Sequence, residues 1–378
     1  MYDITLYPNT IAPWFSQVYA GLFNLQENGK ARVSISTQFD DSRLIDGTSL
    51  AIKVYDRNRD REIRVLIDLN DNRNFAVPEA LEHFDVIVKR GFHHTGIAKL
   101  DEKQRRKVIP YGVNFNCGSN SVPILQLFTY HHLMRLKFLG GSRTRKHKLS
   151  MQQQLRFLFF VWKNNLSLNE DDFIASPDYP SRHKIFFITR LFVSSKGLTD
   201  FSRQRIELVR ALKKEFGANF YGGIVRTQGT ERFCPKDLLI PKVSRRQFTR
   251  LLMSADIAIN TLGVGQSNPW KLGEALAASR CIVSEPLFFD LPEPLEEGIN
   301  VKSFASIEEC LSTCGDLLRD SEQIRWIKQN NWNYYHENVS SEKLLEKLLG
   351  RCFLVSDANG PDAGAKETSR GDVSVVTA

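Results

Sequence analysis

The stretch Ser254–Pro286, SADIAINTLGVGQSNPWKLGEALAASRCIVSEP, constrains the fold of this chain more than any other. Ile257–Asn260 is a short apolar run that reads as a buried strand. Gly263–Asn268 is a small polar loop. Pro269 opens a helix that carries Lys271 and Glu274 and runs into the apolar Ala275–Ala278. Cys281–Val283 is a second apolar strand. Strand, glycine-containing loop, helix and strand make a parallel β-α-β crossover, and ligands of such sheets bind outside the carboxyl ends of the strands. Ser267 or Asn268 is expected to cap the helix, with Pro269 at its first position. The free N–H groups of a first turn attract an anion, typically a phosphate. Lys271 adds a full charge. Glu274, one to two turns in, suits sugar hydroxyls better than phosphate. The pattern asks for a ligand with phosphates and a polyol. An ordinary amphipathic helix capped by Asn268, with Glu274 on its wet face, gives the same local pattern.

Composition sets the frame around that motif. At 378 residues, two domains are expected. Charged residues make up 25% and apolar residues 42%, ordinary for a globular chain, and 25 Phe predict an aromatic-rich core. No window reaches the 18 or so apolar residues of a membrane span. The densest apolar patch, Leu155–Trp162, contains Arg156 and reads as a buried helix. The amino terminus has neither the basic region nor the apolar core of a signal peptide. The six cysteines are scattered, and Cys310 and Cys314 lack a second pair or a nearby His to complete a metal site. Reduced thiols of a cytoplasmic protein are the expectation. The adjacent pairs His93-His94 and His131-His132 are expected to diverge on a regular element.

Residues 1 to about 150 form one unit. Its strands are Ile4–Tyr7, Arg32–Thr37, Leu50–Val54, Ile63–Asp68, Phe84–Lys89 and Val108–Tyr111. Its helices are Trp14–Gln26 and Pro123–Leu139. The charged turn Asp56–Arg61 suggests an antiparallel pair. A second α/β unit spans 151–349, and the polar, aperiodic end from 356 to 378 reads as a disordered tail. The formal net charge of +8 is uneven. Arg135–Lys148 holds six Lys or Arg after an apolar helix, a pattern that suits an anionic membrane surface as well as a solvated loop. No nucleic-acid-binding motif accompanies it.

The C-terminal half resembles the retaining glycosyltransferases of the GT-B fold, in particular the group 1, family 4-like C-terminal domain. The likeness rests on ADIAIN…KLGEALAASRCIVSEP, on LEEGINVKSF at Leu295–Phe304, and on the terminal helices from Ile307 to Leu349. Upstream it includes the strand Ile185–Thr189, Arg190, Lys196-Gly197, the helix Arg203–Phe216 and the strand Asn219–Gly222, so it spans about Lys184–Leu349. It implies two Rossmann-like α/β domains facing a cleft, acceptor on the N-terminal one and nucleotide-sugar donor on the other. It implies that Arg190 and Lys196 hold the donor diphosphate, assisted by Ser267, Asn268, Trp270 and Lys271, that Glu274 holds the ribose, and that no metal or other cofactor is needed. Many such enzymes act on glycan or lipid-linked acceptors from the cytoplasmic side of a membrane. One departure stands out. The family often carries two Glu eight positions apart, and Gln266 stands where the first would be. Gln266 can still hydrogen-bond a donor sugar.

In a doubly wound N-terminal sheet the loops after Ile4–Tyr7 and Phe84–Lys89 face the cleft. They offer Asn9, Trp14, Lys89 and Arg90 for the acceptor. Should the reaction invert configuration, His93, His94 or Asp68 are candidates for general base. A retaining reaction needs none, since the leaving diphosphate can take the proton. Other readings are a sugar-nucleotide epimerase of the same fold and a non-catalytic nucleotide- or membrane-binding protein.

Overall fold

The computed structural model describes residues 1–7, 13–36, 44–45, 47–75, 78–118, 168–194, 197–227 and 229–359. Asn9, Lys196, the helix at Pro123–Leu139, the apolar patch at Leu155–Trp162 and the basic run Arg135–Lys148 lie outside them.

The N-terminal unit is a six-stranded mixed sheet. Its strands are β1 (Tyr2–Tyr7), β2 (Ala31–Ile35), β3 (Ser49–Asp56), β4 (Arg61–Asp68), β5 (Val86–Lys89) and β6 (Val108–Pro110), in the order β2-β1-β3-β4-β5-β6. β1 runs parallel to β2 and antiparallel to β3. β3 and β4 form the antiparallel pair expected from the charged turn, in register from Ser49↔Asp68 to Asp56↔Arg61. β4, β5 and β6 are parallel. This half is therefore not a fully parallel doubly wound sheet. Helix α1 (Ser16–Glu27) covers one face and buries Val18, Leu22, Phe23 and Leu25 against it.

The C-terminal unit is fully parallel apart from a small hairpin of β8 (Val193–Ser194) and β9 (Gly197–Leu198). Its sheet comprises β7 (His183–Thr189), β10 (Phe220–Val225), β11 (Leu239–Ile240), β12 (Ala255–Asn260), β13 (Cys281–Ser284) and β14 (Val301–Ser303). The spatial order is β11-β10-β7-β12-β13-β14. The chain winds outward from β7 in one direction, returns, and winds outward from β12 in the other. The topological switch point lies between β7 and β12, and a crevice opens at their carboxyl ends. Helices α2 (Asp200–Phe216), α3 (Arg245–Met253) and α4 (Trp270–Ala277) lie in the crossovers, and α5 (Ile307–Arg319) follows the last strand. These strands are buried on both faces, Ile185, Phe187, Ile257, Ile259, Cys281 and Val283 on one and Phe186, Ile188, Ala258 and Ile282 on the other, so their sequences run almost without polar alternation.

The last helices tie the two units together. α6 (Ser321–Tyr334) continues through a π-helical turn, Tyr335–Val339, into α7 (Ser341–Ala358). α7 does not stay with the C-terminal sheet, where the sequence places everything to 349. Leu344, Leu345, Leu348, Leu349, Cys352 and Phe353 complete the core of the N-terminal unit. Its helix also extends to Ala358, past the start of the expected tail. At its amino end the Glu170 carboxylate accepts from Ser341 N at 2.7 Å and from Tyr335 Oη at 2.8 Å, and it also pairs with the Ser341 hydroxyl. A carboxylate there complements the helix dipole. Gln17 Nε2 donates to Val339 O at 2.8 Å, and Asn24 Nδ2 to Ser341 Oγ at 3.1 Å. Two glycines permit these close approaches. A β-carbon on Gly21 would press on the Ser341 carbonyl and lie 2.8 Å from Leu345 Cγ; one on Gly273 of α4 would lie 2.9 Å from Phe115 Cβ in the buried segment 111–118 between the units.

All six cysteines are buried thiols. No helix among the described residues is long and apolar enough to cross a membrane.

Gly21→Ala is expected to push α7 off α1 and to lower unfolding free energy by about 1–3 kcal/mol, the range for overpacking. Urea denaturation checks this, and unchanged stability would show that the helix crossing is looser than described.

Candidate active site

Three loops meet at the switch point. The one after β7 begins with Arg190, whose side chain is exposed at the mouth of the crevice. The one after β12 runs from Thr261 to Pro269, and the one after β13 begins with Glu285. The β12 loop is a tight turn in which Gly263 N donates to Ser267 O at 2.7 Å. Gly265 at φ 67° and Gln266 at φ 64° both take left-handed backbone conformations. For Gln266 this is an unfavourable region that non-glycine residues seldom adopt. It leaves Val264, Gly265 and Gln266 exposed on the rim.

α4 starts one residue later than the sequence suggests. Pro269 is its cap rather than its first helical residue, and no side chain caps it. Ser267 is buried and turned back over Gly263, and Asn268 Nδ2 donates to Phe289 O at 3.2 Å. Trp270 packs half-buried on the adjoining core. The amino end of α4 thus has no side-chain acceptor at its cap.

Two further cations lie at the crevice. The Lys271 ammonium donates to the carbonyl of Ile188 and sits 5.5 Å from the centroid of the Phe187 ring. Arg205, on the inward face of α2, donates from Nη1 to Arg190 O at 3.0 Å and from Nη2 to Leu262 O at 2.7 Å. Its guanidinium lies over the rings of Phe192 and Phe201. Arg205 therefore pins the loops that follow the two switch-point strands. Burial lowers the affinity of both cations for their protons. For Lys271 it acts together with the neighbouring Arg205 and Arg190 and outweighs Glu274, so that the ammonium is pushed down to about 7. Arg205 is lowered by burial and partly held up by Glu285. Neither cation forms an ion pair with an acid among the described residues.

Around these charges lie polar atoms with no partner. Thr189 Oγ1 and Asn260 Oδ1 are buried at the carboxyl ends of β7 and β12, and Asn268 Oδ1 is buried beside α4. Buried polar groups in folded proteins are nearly always satisfied, so an unpaired set in one crevice marks a place for a ligand.

Glu274 is not on a wet face. It is 4% exposed, and its Oε1 accepts from Arg245 Nη2 at 2.7 Å. Arg245 also donates to Asn116 O at 2.5 Å and lies over Phe173. Glu274 is thus bound to α3 and to the segment between the units.

Across the cleft several expected acceptor groups are already engaged. Lys89 is fully buried and its Nζ pairs with Asp68 Oδ2 at 2.9 Å. Asp68 also accepts from Asn70 N at 2.9 Å. Two opposite charges taken out of water hold each other, so neither is free for an acceptor or for proton transfer. Arg90 is buried, pairs with Asp71 Oδ1 at 2.5 Å and donates across the cleft to Asn268 O at 3.0 Å. Trp14 lies half-buried in a 3-10 turn, Pro13–Phe15, with its indole N–H unpartnered.

His93 and His94 do not diverge. The first is the extended cap of a single turn, His94–Ile97, and the rings stack at 4.3 Å. His93 stacks on Phe288 at 4.3 Å on its other side, and its Nδ1 meets Thr95 Oγ1 at 2.7 Å. Burial, then the neighbouring His94, lowers its proton affinity, which favours the neutral imidazole. Asp290 bridges the units, donating N–H to Phe92 O and accepting from His94 N, both at 3.0 Å. The loops after β4 and β5 therefore face those after β12 and β13.

Sequence reasoning missed Arg205, Arg245, Asp71 and Asp290. For Arg205 a signal existed, since it falls between Ser202 and Val209 on the buried stripe of α2, where a cation needs a reason. Among the described residues no group of three or more His, Cys, Asp or Glu could hold a metal ion.

No family model matches the sequence, and no curated protein does. Solved structures that align with it include HepE of Anabaena with UDP and glucose, at 10% identity and TM-score 0.40, over 93% of this chain and 99% of that one. A glycosyltransferase from Rickettsia africae ESF-5 aligns at 13% identity and TM-score 0.39, over 74% and 67% of the two chains. The C-terminal domain of the group 1 glycosyl transferase LpcC from Francisella tularensis aligns at 15% identity and TM-score 0.32, over 45% and 97%. Likeness at this level does not extend to residues or ligands.

Lys89→Ala leaves the Asp68 carboxylate buried without its counter-charge. A loss of about 3–5 kcal/mol in unfolding free energy is expected. If the variant keeps wild-type stability and loses only acceptor binding, Lys89 belongs to the binding surface after all.

Proposed function

We propose that the protein is a glycosyltransferase that moves a sugar from a nucleotide-sugar donor to a glycan or lipid-linked acceptor in the cleft between its two sheets. One observation carries the reading. At the switch point of a parallel sheet, half-buried Lys271 and buried Arg205 are cations without an acid partner among the described residues, next to exposed Arg190 and to the unpartnered Thr189 Oγ1 and Asn260 Oδ1. Buried charge without a counter-ion is unfavourable. A diphosphate supplies that counter-ion, and the uncapped start of α4 adds N–H donors aimed at anions.

In this reading the transfer is retaining and metal-independent. As the bond from the sugar to the diphosphate breaks, negative charge grows on the leaving group. Arg190 and Lys196 add their charges, and Lys271 and Arg205, held by carbonyl oxygens, stabilise it from fixed positions, which requires little reorganisation. Glu274, whose Oε1 is taken by Arg245, offers its other carboxylate oxygen to the ribose hydroxyls. Gln266 on the rim offers its amide to the donor sugar. The leaving diphosphate takes the acceptor's proton, and neutral His93 is the base should configuration invert. The acceptor enters past Trp14 and Asn9. A cytoplasmic location, at the inner membrane face where Arg135–Lys148 contacts anionic lipid, belongs to the same reading.

Thermal unfolding with UDP, GDP, CDP and ADP, alone and as sugar conjugates, tests it. A ligand at 100 times its dissociation constant stabilises by about 2.7 kcal/mol, enough for a clear rise in Tm. A rise selective for one nucleotide, followed by sugar transfer to an acceptor, is the expected result; no shift with any of them removes the donor site. Arg190→Ala is expected to lower turnover by 10²-fold or more, about 2.7 kcal/mol of transition-state stabilisation, with unchanged Tm because its side chain is exposed.

A further inference from the structure

Lys271 occupies an environment unlike that of the other cations at the crevice. Its Nζ reaches under the end of β7 to a single acceptor, the Ile188 carbonyl, with the face of Phe187 beside it. The described charged groups around it are known element by element. Arg205, on α2, donates to the Arg190 carbonyl two residues beyond the Ile188 carbonyl that Lys271 takes, and both guanidiniums repel its charge. Glu274, on the same helix, accepts from Arg245 Nη2 of α3 with its Oε1. Glu285, after β13, accepts from Leu262 N at 2.7 Å with its Oε2. Two guanidiniums that cannot lose their protons therefore flank an ammonium that can. The acids that would balance it are turned to other partners. The least expensive response of such a site, while empty, is to release the Lys271 proton to water.

We propose that donor binding is coupled to protonation of Lys271: as the diphosphate enters the crevice, the amine takes one proton from solvent and pairs with the phosphate as an ammonium. The amine's lone pair forms one N–H bond as the buffer acid gives up its proton, and no bond between heavy atoms changes. Burial and the adjacent Arg205 support this, since they bring the free protein's Lys271 to about 7. A dianion reverses both influences. It cancels the repulsion from the guanidiniums and supplies the acceptors that the carbonyl of Ile188 alone does not. The sign follows from linkage. Below pH 7 the free site is already protonated and binding takes up little. Above it, each unit of pH weakens binding, approaching tenfold per unit. The coupling rests on the donor-site reading, and it makes that site tightest on the acid side of neutrality.

Titration calorimetry of the intact protein decides it. UDP and methyl diphosphate are titrated at pH 8 in Hepes and in Tris, whose ionisation heats differ and where both ligands are essentially fully ionised. The expected result is a buffer-dependent heat that reports net proton uptake, at most one proton per ligand, and an apparent Kd that rises between pH 8 and pH 9. Lys271→Arg, whose charge is permanent, is expected to bind with the buffer dependence abolished. Wild-type binding with equal heats in the two buffers overturns the coupling and leaves the donor site intact. Unaltered uptake in a folded Lys271→Arg variant overturns the assignment to Lys271. Absence of binding by both probes overturns the anion site itself and the coupling with it. Should Lys271→Arg fail to fold, the wild-type comparison between buffers and across pH still decides whether binding takes up a proton.

Discussion

The return of the last helix onto the first domain is the constraint from which the rest of the architecture follows. α7 supplies six buried side chains to the core of the N-terminal unit, although it is reached through α6 on the C-terminal one. It packs against α1, β4 and β5, so that α1 and α7 together cover that face of the sheet. The Glu170 carboxylate fixes where the helix begins by accepting from Ser341 N and Tyr335 Oη. The π-helical turn at Tyr335–Val339 is where the chain leaves one unit for the other, and such turns interrupt the helical ladder where a change of direction is required. The loops after β4, β5, β12 and β13 are brought face to face by this attachment and by the buried segment 111–118.

At the cleft, the two sides are built on opposite electrostatic plans. On the N-terminal side the charges are closed on one another: Lys89 with Asp68, and Arg90 with Asp71. Such pairs hold loops in place and leave little for a ligand. On the C-terminal side Lys271 and Arg205 are given carbonyl oxygens, not acids, and Thr189 and Asn260 keep unpaired oxygens. Stability alone favours closing these groups off. Their persistence is the kind of local conflict that folded proteins keep where a ligand completes the structure.

Much of this was legible in the chain. The apolar runs at Ile185–Thr189, Ile257–Asn260 and Cys281–Val283 could be assigned to a buried parallel sheet because such strands have no polar face. The charged turn Asp56–Arg61 announced the β3–β4 hairpin. The order of strand, loop and helix placed Lys271 and Glu274 near a carboxyl-end crevice. Three expectations failed for related reasons. The Leu pairs of α7 show an amphipathic helix, but periodicity carries no label for the core it joins. Lys89 and Asp68 lie 21 positions apart and are adjacent only because β4 and β5 pair in register. His93 and His94 were expected to diverge, as neighbours on a regular element do. They stack because His93 is the extended cap of a turn.

The sequence by itself determined the central strands of both sheets, the strand, loop and helix order after β12, and the collection of polar groups gathered there. It could do so because hydrophobic periodicity and turn chemistry act over a few residues. Only the tertiary structure decided which of those groups neutralise one another and which remain open. Glu274 was committed to Arg245, Lys89 to Asp68 and Arg90 to Asn268, while Lys271 and Arg205 were left without an acid partner among the described residues. Pairing depends on separations of a few ångströms and on the local exclusion of water, and both are set by packing between segments far apart in the chain.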